Sequence, residues 1–302
     1  MVSLGIFYHV YTLFLFTSDQ ILDAVIPGTA FATFATLSGP VLDLPSQNAT
    51  AIIQRIPLVS FWLWLVVFQA CLHNQRRRES VREDALNKPW RPLPSGRITR
   101  GQTDNLLFVT YILLGFLSHY LEVLSIFILY TMLIVGYNDL GGGDYSGFVR
   151  NLFCAAGFSC YFSGAFSIAL GTDIFMSYHA WNWTLLITFG TLATTFQTQE
   201  FRDEVGDRAR GRCTLVTELG RKHALWTVMV AVTFWSLYTP FVFFECGWRG
   251  ATLPIALGWA LVVTAIQAIG EESQKFDRKM YKIWCLWMIT FCPLPIFGNG
   301  SA

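Results

Sequence analysis

Charge is what this chain has least of. Of its 302 residues only 14% are Asp, Glu, Lys or Arg, where a soluble domain carries about a quarter, and the mean hydropathy is +0.45. That balance excludes an ordinary soluble enzyme. The net charge of +1 says nothing about partners, and no nucleic-acid partner is expected. Paired cysteines are missing too. Cys71, Cys154, Cys160, Cys213, Cys246, Cys285 and Cys292 are scattered, mostly within apolar runs, with no CxxC or Cys/His spacing. A disulfide framework and a zinc site are thereby excluded, and the cysteines are expected to be small buried residues. His9, His73, His119, His179 and His223 share no metal-ligand spacing and are expected to be structural or interfacial. The N-terminus has neither a basic leader nor a small-residue cleavage site, so no cleavable signal peptide is expected.

Long apolar runs are what the sequence has in abundance. A helix needs about twenty apolar residues to span a bilayer. Nine stretches meet that need: 20–39, 52–73, 104–120, 121–137, 151–171, 181–199, 223–240, 251–270 and 281–297. Residues 3–16 add a further apolar piece, expected to lie at the membrane interface as part of a 1–19 N-terminal segment. The fold class is therefore an all-α membrane protein, one domain over 1–302, with nine transmembrane helices and membrane lipid around them. The 104–120 and 121–137 stretches have almost nothing between them and should form a tight antiparallel pair. Nine spans put 19 of the 21 basic residues on one side and leave only Arg55 and Arg249 on the other. The positive-inside rule makes the crowded side cytosolic. The Asn48 and Asn182 sequons fall on the opposite side, as expected of a multi-pass protein of the endoplasmic reticulum. No obligate protein partner is implied.

Two long charged connections, 74–100 and 200–222, share the cytosolic side. The second opens with "EFRDEVGDRARGR". Its Glu200, Asp203 and Asp207 stand at i, i+3 and i+7, one face of a helix. Carboxylates aligned in that way repel one another unless a cation lies between them. Mg²⁺ suits such a face, because it takes few carboxylates and completes its shell with water and phosphate oxygens. The plainer alternative is a solvated helix end whose acids pair with Arg202, Arg208 and Arg210. In the first connection Glu79, Glu83 and Asn87 are four apart with Asp84 beside them. Lys88, Arg91 and Arg97 then follow in a Pro-rich, non-helical segment. Guanidinium forks for the oxygens and carboxylates for the metal are what a diphosphate–Mg²⁺ group requires. Lys88, Arg91, Arg212 and Lys222 are the candidate diphosphate contacts of the two loops. A third charged stretch, Glu271 and Glu272 with Lys275, Arg278 and Lys279, is expected to be a hydrated connector.

"NKPWRPLPSGRIT" (87–99) with "QEFRDEVGDRARGRCTL" (199–215) resembles the UbiA superfamily of intramembrane prenyltransferases, and most of all its fungal branch of membrane-bound terpene cyclases. "YNDLGGGDYSGFVRN" (137–151) is similar to the loop after the fourth span in that branch. The resemblance covers nearly the whole chain, and the count of nine helices agrees with a UbiA-type bundle carrying an active-site cap on the cytosolic side. It implies a prenyl diphosphate substrate bound through Mg²⁺ by two Asp-rich motifs. The second motif carries over onto Asp203 and Asp207, with Glu200 at the preceding acidic position. The first departs from the family pattern: counting back from Asn87, only Asp84 meets an acidic position, while Ser80 and Arg76 occupy the others. Asn74, Glu83 and Asp84 are the expected metal ligands of this loop. Asp84, Asp203 and Asp207 are the expected catalytic carboxylates. Arg150 stands where relatives carry a basic residue after the fourth span, which implies a diphosphate contact.

Aromatic residues recur within the spans, and Trp64, Phe158, Phe162 and Phe234 are candidate walls for a cavity beneath the diphosphate. Ring faces attract a cation by about 0.5–2 kcal/mol each and would shield an allyl cation from water. Each ring has a plainer role as a lipid-facing or interfacial aromatic. The resemblance implies a Mg²⁺-dependent cyclase acting on farnesyl diphosphate or a similar prenyl diphosphate, with a prenyltransferase to an aromatic acceptor as the alternative. A transporter would place ionisable groups near the midplane, whereas here they gather at one rim.

Overall fold

The computed structural model describes residues 2–270 and 272–298. Glu271, the first residue of the expected connector, lies outside the described residues. Every described element is helical, and among the described residues there is no strand. Each of the nine apolar stretches falls on helical structure. Fewer of them are span-like on their own. Ala49–Gln75, Gly147–Leu170, Arg221–Phe243 and Gly247–Gly270 are long and apolar enough to cross a membrane. Gly5–Thr17 and Ile21–Leu37, bent by 62°, make a fifth if they form one span.

The remaining helices fall short for reasons visible in their residues. Leu124–Asn138 is apolar but only 15 residues long. Arg100–Tyr120 begins with Arg100, Gln102, Asp104 and Asn105, and its start is fixed by a Thr99/Gln102 capping box. The expected 281–297 span is broken: its helix runs Gln274–Ile289, carries Lys275, Asp277, Arg278 and Lys279 in its first half, and gives way to a turn before Leu294–Phe297. Residues 2–17 form a helix, as expected of the 3–16 piece, with Ile6, Phe7, Val10 and Phe14 exposed and Leu15 and Phe16 buried.

The Gly147–Leu170 helix is the hub. It packs against 26–37, 49–75, 124–138 and the 178–199 segment. Small residues permit the close approach: a Cβ on Gly164 would stand 2.2 Å from the Trp62 ring, whose Nε1 donates to Ser118 Oγ at 2.9 Å. The hub also fixes the two ends of the bundle. Arg55 donates to the carbonyls of Ala169 and Leu170 at its C-terminal end, while Arg150 at the other end meets the charged loops. Twenty-four residues at 1.5 Å each separate those ends by about 36 Å. All seven cysteines are free.

Between Tyr178 and Gln199 the helix is irregular, passing through a π-helical turn at Leu186–Leu192 and a 3-10 turn at Phe196–Gln199. The local sequence supplies the cause. Thr188, Thr191, Thr195 and Thr198 each turn a hydroxyl back onto a carbonyl three to five residues earlier, the arrangement that bends helices. The shift phases the helix that follows, Glu200–Arg210, so that Glu200 and Asp207 face inward at 1% exposure each.

Candidate active site

The two charged loops meet at one end of the bundle. The 78–87 helix packs on the 200–210 helix, and Asn87 stitches them together. Its Nδ2 donates to the Asp203 carbonyl at 2.8 Å, and its Oδ1 accepts from Gly206 N at 3.1 Å. Gly206 makes the approach possible, since a Cβ there would lie 2.3 Å from Asn87 Nδ2. After Asn87 the chain turns out of the helix and lays Lys88 and Arg91 over the opening.

Beneath them lies a cavity of about 1000 Å³ of empty space, its open mouth included. Its mouth carries Lys88, Arg91, Arg150, Arg202 and Arg212 against Glu83 and Asp203. Directly behind these five cations, Asp84, Asp19 and Glu200 pair with Arg91 and Arg150, so the mouth is a dense network of both charges. Asn74, Gln20, Gln199 and Asn138 add polar groups at the same level. The deeper wall is Leu133, Ile134, Phe153, Gly157, Phe158, Phe196, Tyr130 and Tyr161. One end suits a polyanion, the other an apolar chain.

Ion pairs hold most of the mouth. Lys88 Nζ lies 2.7 Å from Asp203 Oδ2. Arg91 Nη1 donates to both Asp84 oxygens at 2.8 and 3.0 Å, and its other edge reaches Asp19 at 3.2 Å. Arg150 bonds Glu200 at 3.0 Å and the Tyr137 hydroxyl at 2.9 Å. Glu83 accepts from Arg210 at 2.9 Å and faces Arg212 at 3.5 Å.

Asp207 differs. Both of its carboxylate oxygens are buried without a hydrogen-bond partner, and Arg212 comes no nearer than 3.8 Å. Burial pushes its carboxyl up to about 7, against the opposing pull of Arg150 and Arg212. Burial acts the same way on Asp203, but there Lys88 and Arg202 outweigh it and hold the carboxyl well below its ordinary value. Burial raises Asp84 and Glu200 despite their arginines.

The expected residues are therefore sorted by the fold. Asn74, Glu83, Lys88, Arg91, Arg150, Asp203, Arg212 and Phe158 line the cavity. Asp84 and Glu200 are tucked behind it in ion pairs, and Asp207 is buried beside Arg212. Four expectations lie elsewhere. Lys222 is exposed at the start of the 221–238 helix. Trp64 stacks on Phe68 and donates to Thr17. Phe162 is packed against Phe31 in the core, and Phe234 is half-exposed and stacked on Tyr238. Aromatic content alone did not separate wall from core or lipid face. The missed walls, Tyr130, Leu133, Ile134 and Tyr137, stand at i, i+3, i+4 and i+7 of one helix, a face the uniformly apolar composition conceals.

Comparison with known proteins now bears on this geometry. The model of the UbiA prenyltransferase family matches residues 29–286. This chain belongs to that family. Fumagillin beta-trans-bergamotene synthase of Aspergillus fumigatus is 29% identical over 267 residues, covering 85% of this chain and 88% of the relative. Two proteins of Hericium erinaceus are also similar: a diterpene cyclase, 27% identical over 91% of this chain and 85% of its own length, and a polyprenyl transferase, 26% identical over 86% and 85%. A solved structure of digeranylgeranylglyceryl phosphate synthase shares the fold, with a TM-score of 0.61 over 95% of this chain and 98% of that one at 18% identity. Family membership and the long apolar helices make this an integral membrane protein.

The family's metal can be tested against the residues present. Its donor chemistry fits, since Asp207 offers two buried oxygens that nothing else uses and Asp203 lies one helical turn away. Among the described residues, however, no three His, Cys, Asp or Glu side chains converge on a point that would hold an ion. The other acids are instead turned to arginine and lysine. A metal would take oxygens from the second loop first.

Proposed function

We propose that this protein is a membrane-embedded cyclase that ionises a prenyl diphosphate, farnesyl diphosphate in the first instance, and closes the prenyl chain into a hydrocarbon ring. The single observation that carries this is the two-ended cavity: five cationic side chains at its mouth above an apolar wall. The nine-span bundle of the family, with the mouth facing the cytosol from the endoplasmic reticulum, belongs to the same proposal. It is supported by Arg55 standing at the end of the hub helix remote from the charged loops.

In the mechanism, Lys88, Arg91, Arg150 and Arg212 seat the diphosphate, with their charge aimed where negative charge grows as the C–O bond breaks. Asp203 and Asp207 would hold Mg²⁺, with Glu83 and Asn74 across the mouth, and the ion would supply further neutralisation of the departing diphosphate. Phe158, Phe196, Tyr130 and Tyr161 face the allyl cation, stabilise it through their rings and keep water out. The chain folds in that wall, closes, and loses a proton.

The relatives divide between cyclases and a transferase, and the cavity supports the cyclase. One apolar wall under one mouth would serve a single prenyl chain, whereas a transferase also needs room for an acceptor. Purified protein with Mg²⁺ and farnesyl diphosphate, and no acceptor, should release a cyclic C15 hydrocarbon detectable by gas chromatography. If it is inert alone and consumes the diphosphate only when an aromatic acceptor is added, the transferase assignment replaces this one.

A further inference from the structure

Among the five cations at the cavity mouth, Arg202 stands apart. Lys88, Arg91, Arg150 and Arg212 each donate a hydrogen bond to a carboxylate or a tyrosine hydroxyl. Arg202 donates none to any described residue. Its Nε is buried without a hydrogen-bond partner; Asp203 lies 3.7 Å away and is already bonded by Lys88 at 2.7 Å, and Asp19 and Asp23 act on it only at longer range. The side chain is nonetheless only 11% exposed. A guanidinium desolvated to that degree without hydrogen bonds needs another source of stabilisation.

That source is a ring. Arg202 Cζ lies 3.6 Å from the centre of the Tyr281 ring. Tyr281 is itself held: its hydroxyl donates to Asp23 Oδ2 at 2.6 Å, and the ring is 5% exposed. Asp23 sits in the π-helical turn Ile21–Val25, a distortion that often marks functional positions. A phenol that donates to a carboxylate gains electron density on its ring, which strengthens its attraction for a cation on its face. Three residues remote in sequence, 23, 202 and 281, thus form one chain of contacts ending at the cavity. Stacking satisfies the flat face of the guanidinium and uses none of its five N–H donors, all of which lie at the rim.

We propose that Arg202 is a diphosphate-binding residue of the site, and that Tyr281 and Asp23 are positioning residues that fix the plane of its guanidinium. The donor fork is kept unspent in the empty protein and is offered to two phosphate oxygens. This rests on a prenyl diphosphate being the substrate, and it brings the 274–289 helix into leaving-group recognition.

The test uses full-length protein in detergent and inorganic pyrophosphate with Mg²⁺ as the probe, measured by calorimetry beside KM and kcat for farnesyl diphosphate. Arg202→Gln should weaken pyrophosphate binding and raise KM about ten-fold or more, as loss of a charge-assisted fork implies, while Arg202→Lys recovers part of the loss. Tyr281→Leu should approach the Arg202→Gln loss, and Tyr281→Phe, which keeps the ring but not the bond to Asp23, should cost about threefold. The double variant Arg202→Gln/Tyr281→Leu should bind no more weakly than Arg202→Gln alone, because both act through one contact. Should Arg202→Gln fail to fold, Arg202→Lys and Tyr281→Phe carry the measurement. Unchanged pyrophosphate affinity in folded Arg202 variants, or additive losses in the double variant, overturns the inference alone. Wild-type protein that binds no pyrophosphate and turns over no prenyl diphosphate overturns the proposed function instead.

Discussion

The two acidic loops are similar in composition and opposite in electrostatic state. In the first, every inward carboxylate is taken: both Asp84 oxygens accept from Arg91 Nη1 and Glu83 is shared by Arg210 and Arg212. In the second, Asp203 is shared with Lys88, but Asp207 is buried with two oxygens unused. Breaking a buried pair leaves an uncompensated charge at a cost of about 3–5 kcal/mol. A metal that sought Asp84 would have to meet that cost, and one that bound Asp207 would relieve a penalty already present. The difference assigns the loops different work. On the proposed function, the second would receive the cation, and the first would build the frame that holds the second in place.

The largest test of that division is at the second loop. Asp207→Ala and Asp203→Ala should each lower turnover by on the order of 10³-fold, with thermal unfolding of Asp207→Ala no earlier than wild type, because a buried carboxyl without hydrogen-bond partners has been removed. Comparable losses in activity accompanied by loss of the folded state would make the loop a structural element and erase the contrast.

A change outside both loops should separate chain selection from metal binding. Gly157 lines the cavity, and a Cβ there would meet nothing within 4 Å. Gly157→Leu should therefore fold, fill the apolar end, and shift preference from C15 toward C10 diphosphates by about 10–100-fold in kcat/KM. Assays with the two substrates side by side check this, and unchanged selectivity would place the prenyl chain elsewhere.

The framing role of the first loop is tested at Asn87. Asn87→Ala removes both bonds to the 200–210 helix and should destabilise by about 1–3 kcal/mol for each group left unsatisfied. Activity should fall less than with Asp207→Ala and return partly at lower temperature. The smallest effect is expected at Glu204, which pairs with Arg208 and Arg221 rather than facing the cavity. Glu204→Ala should change stability by under about 1 kcal/mol and activity by less than about twofold.

Much of this was legible in the residues. The i, i+3, i+7 spacing of Glu200, Asp203 and Asp207 told which face would turn inward, because helical periodicity is local. The convergence of loops 74–100 and 200–222 followed from charge asymmetry and the resemblance together. Pairing was not legible. Nothing in the spacing says that Asp84 closes on Arg91 seven residues later once the chain turns between Lys88 and Arg91, or that Glu200 finds Arg150 fifty residues away. Arg202 was equally hidden, because its ring partner comes from the 274–289 helix. Rings were misassigned for the same reason: Phe158 and Phe162 are one helical turn apart, yet only Phe158 reaches the cavity.

The contrast between the loops is tested most directly by Mn²⁺ binding, followed by electron paramagnetic resonance on the detergent-purified protein without substrate. Wild type should bind the ion, and Asp207→Asn should lose it. The double variant Asp84→Asn/Arg91→Gln, which removes both members of the pair and leaves only the partly exposed Asp19 without its arginine, should keep affinity within about threefold of wild type. Loss of Mn²⁺ in the double variant, with affinity retained in Asp207→Asn, would contradict the assignment of the cation to the second loop.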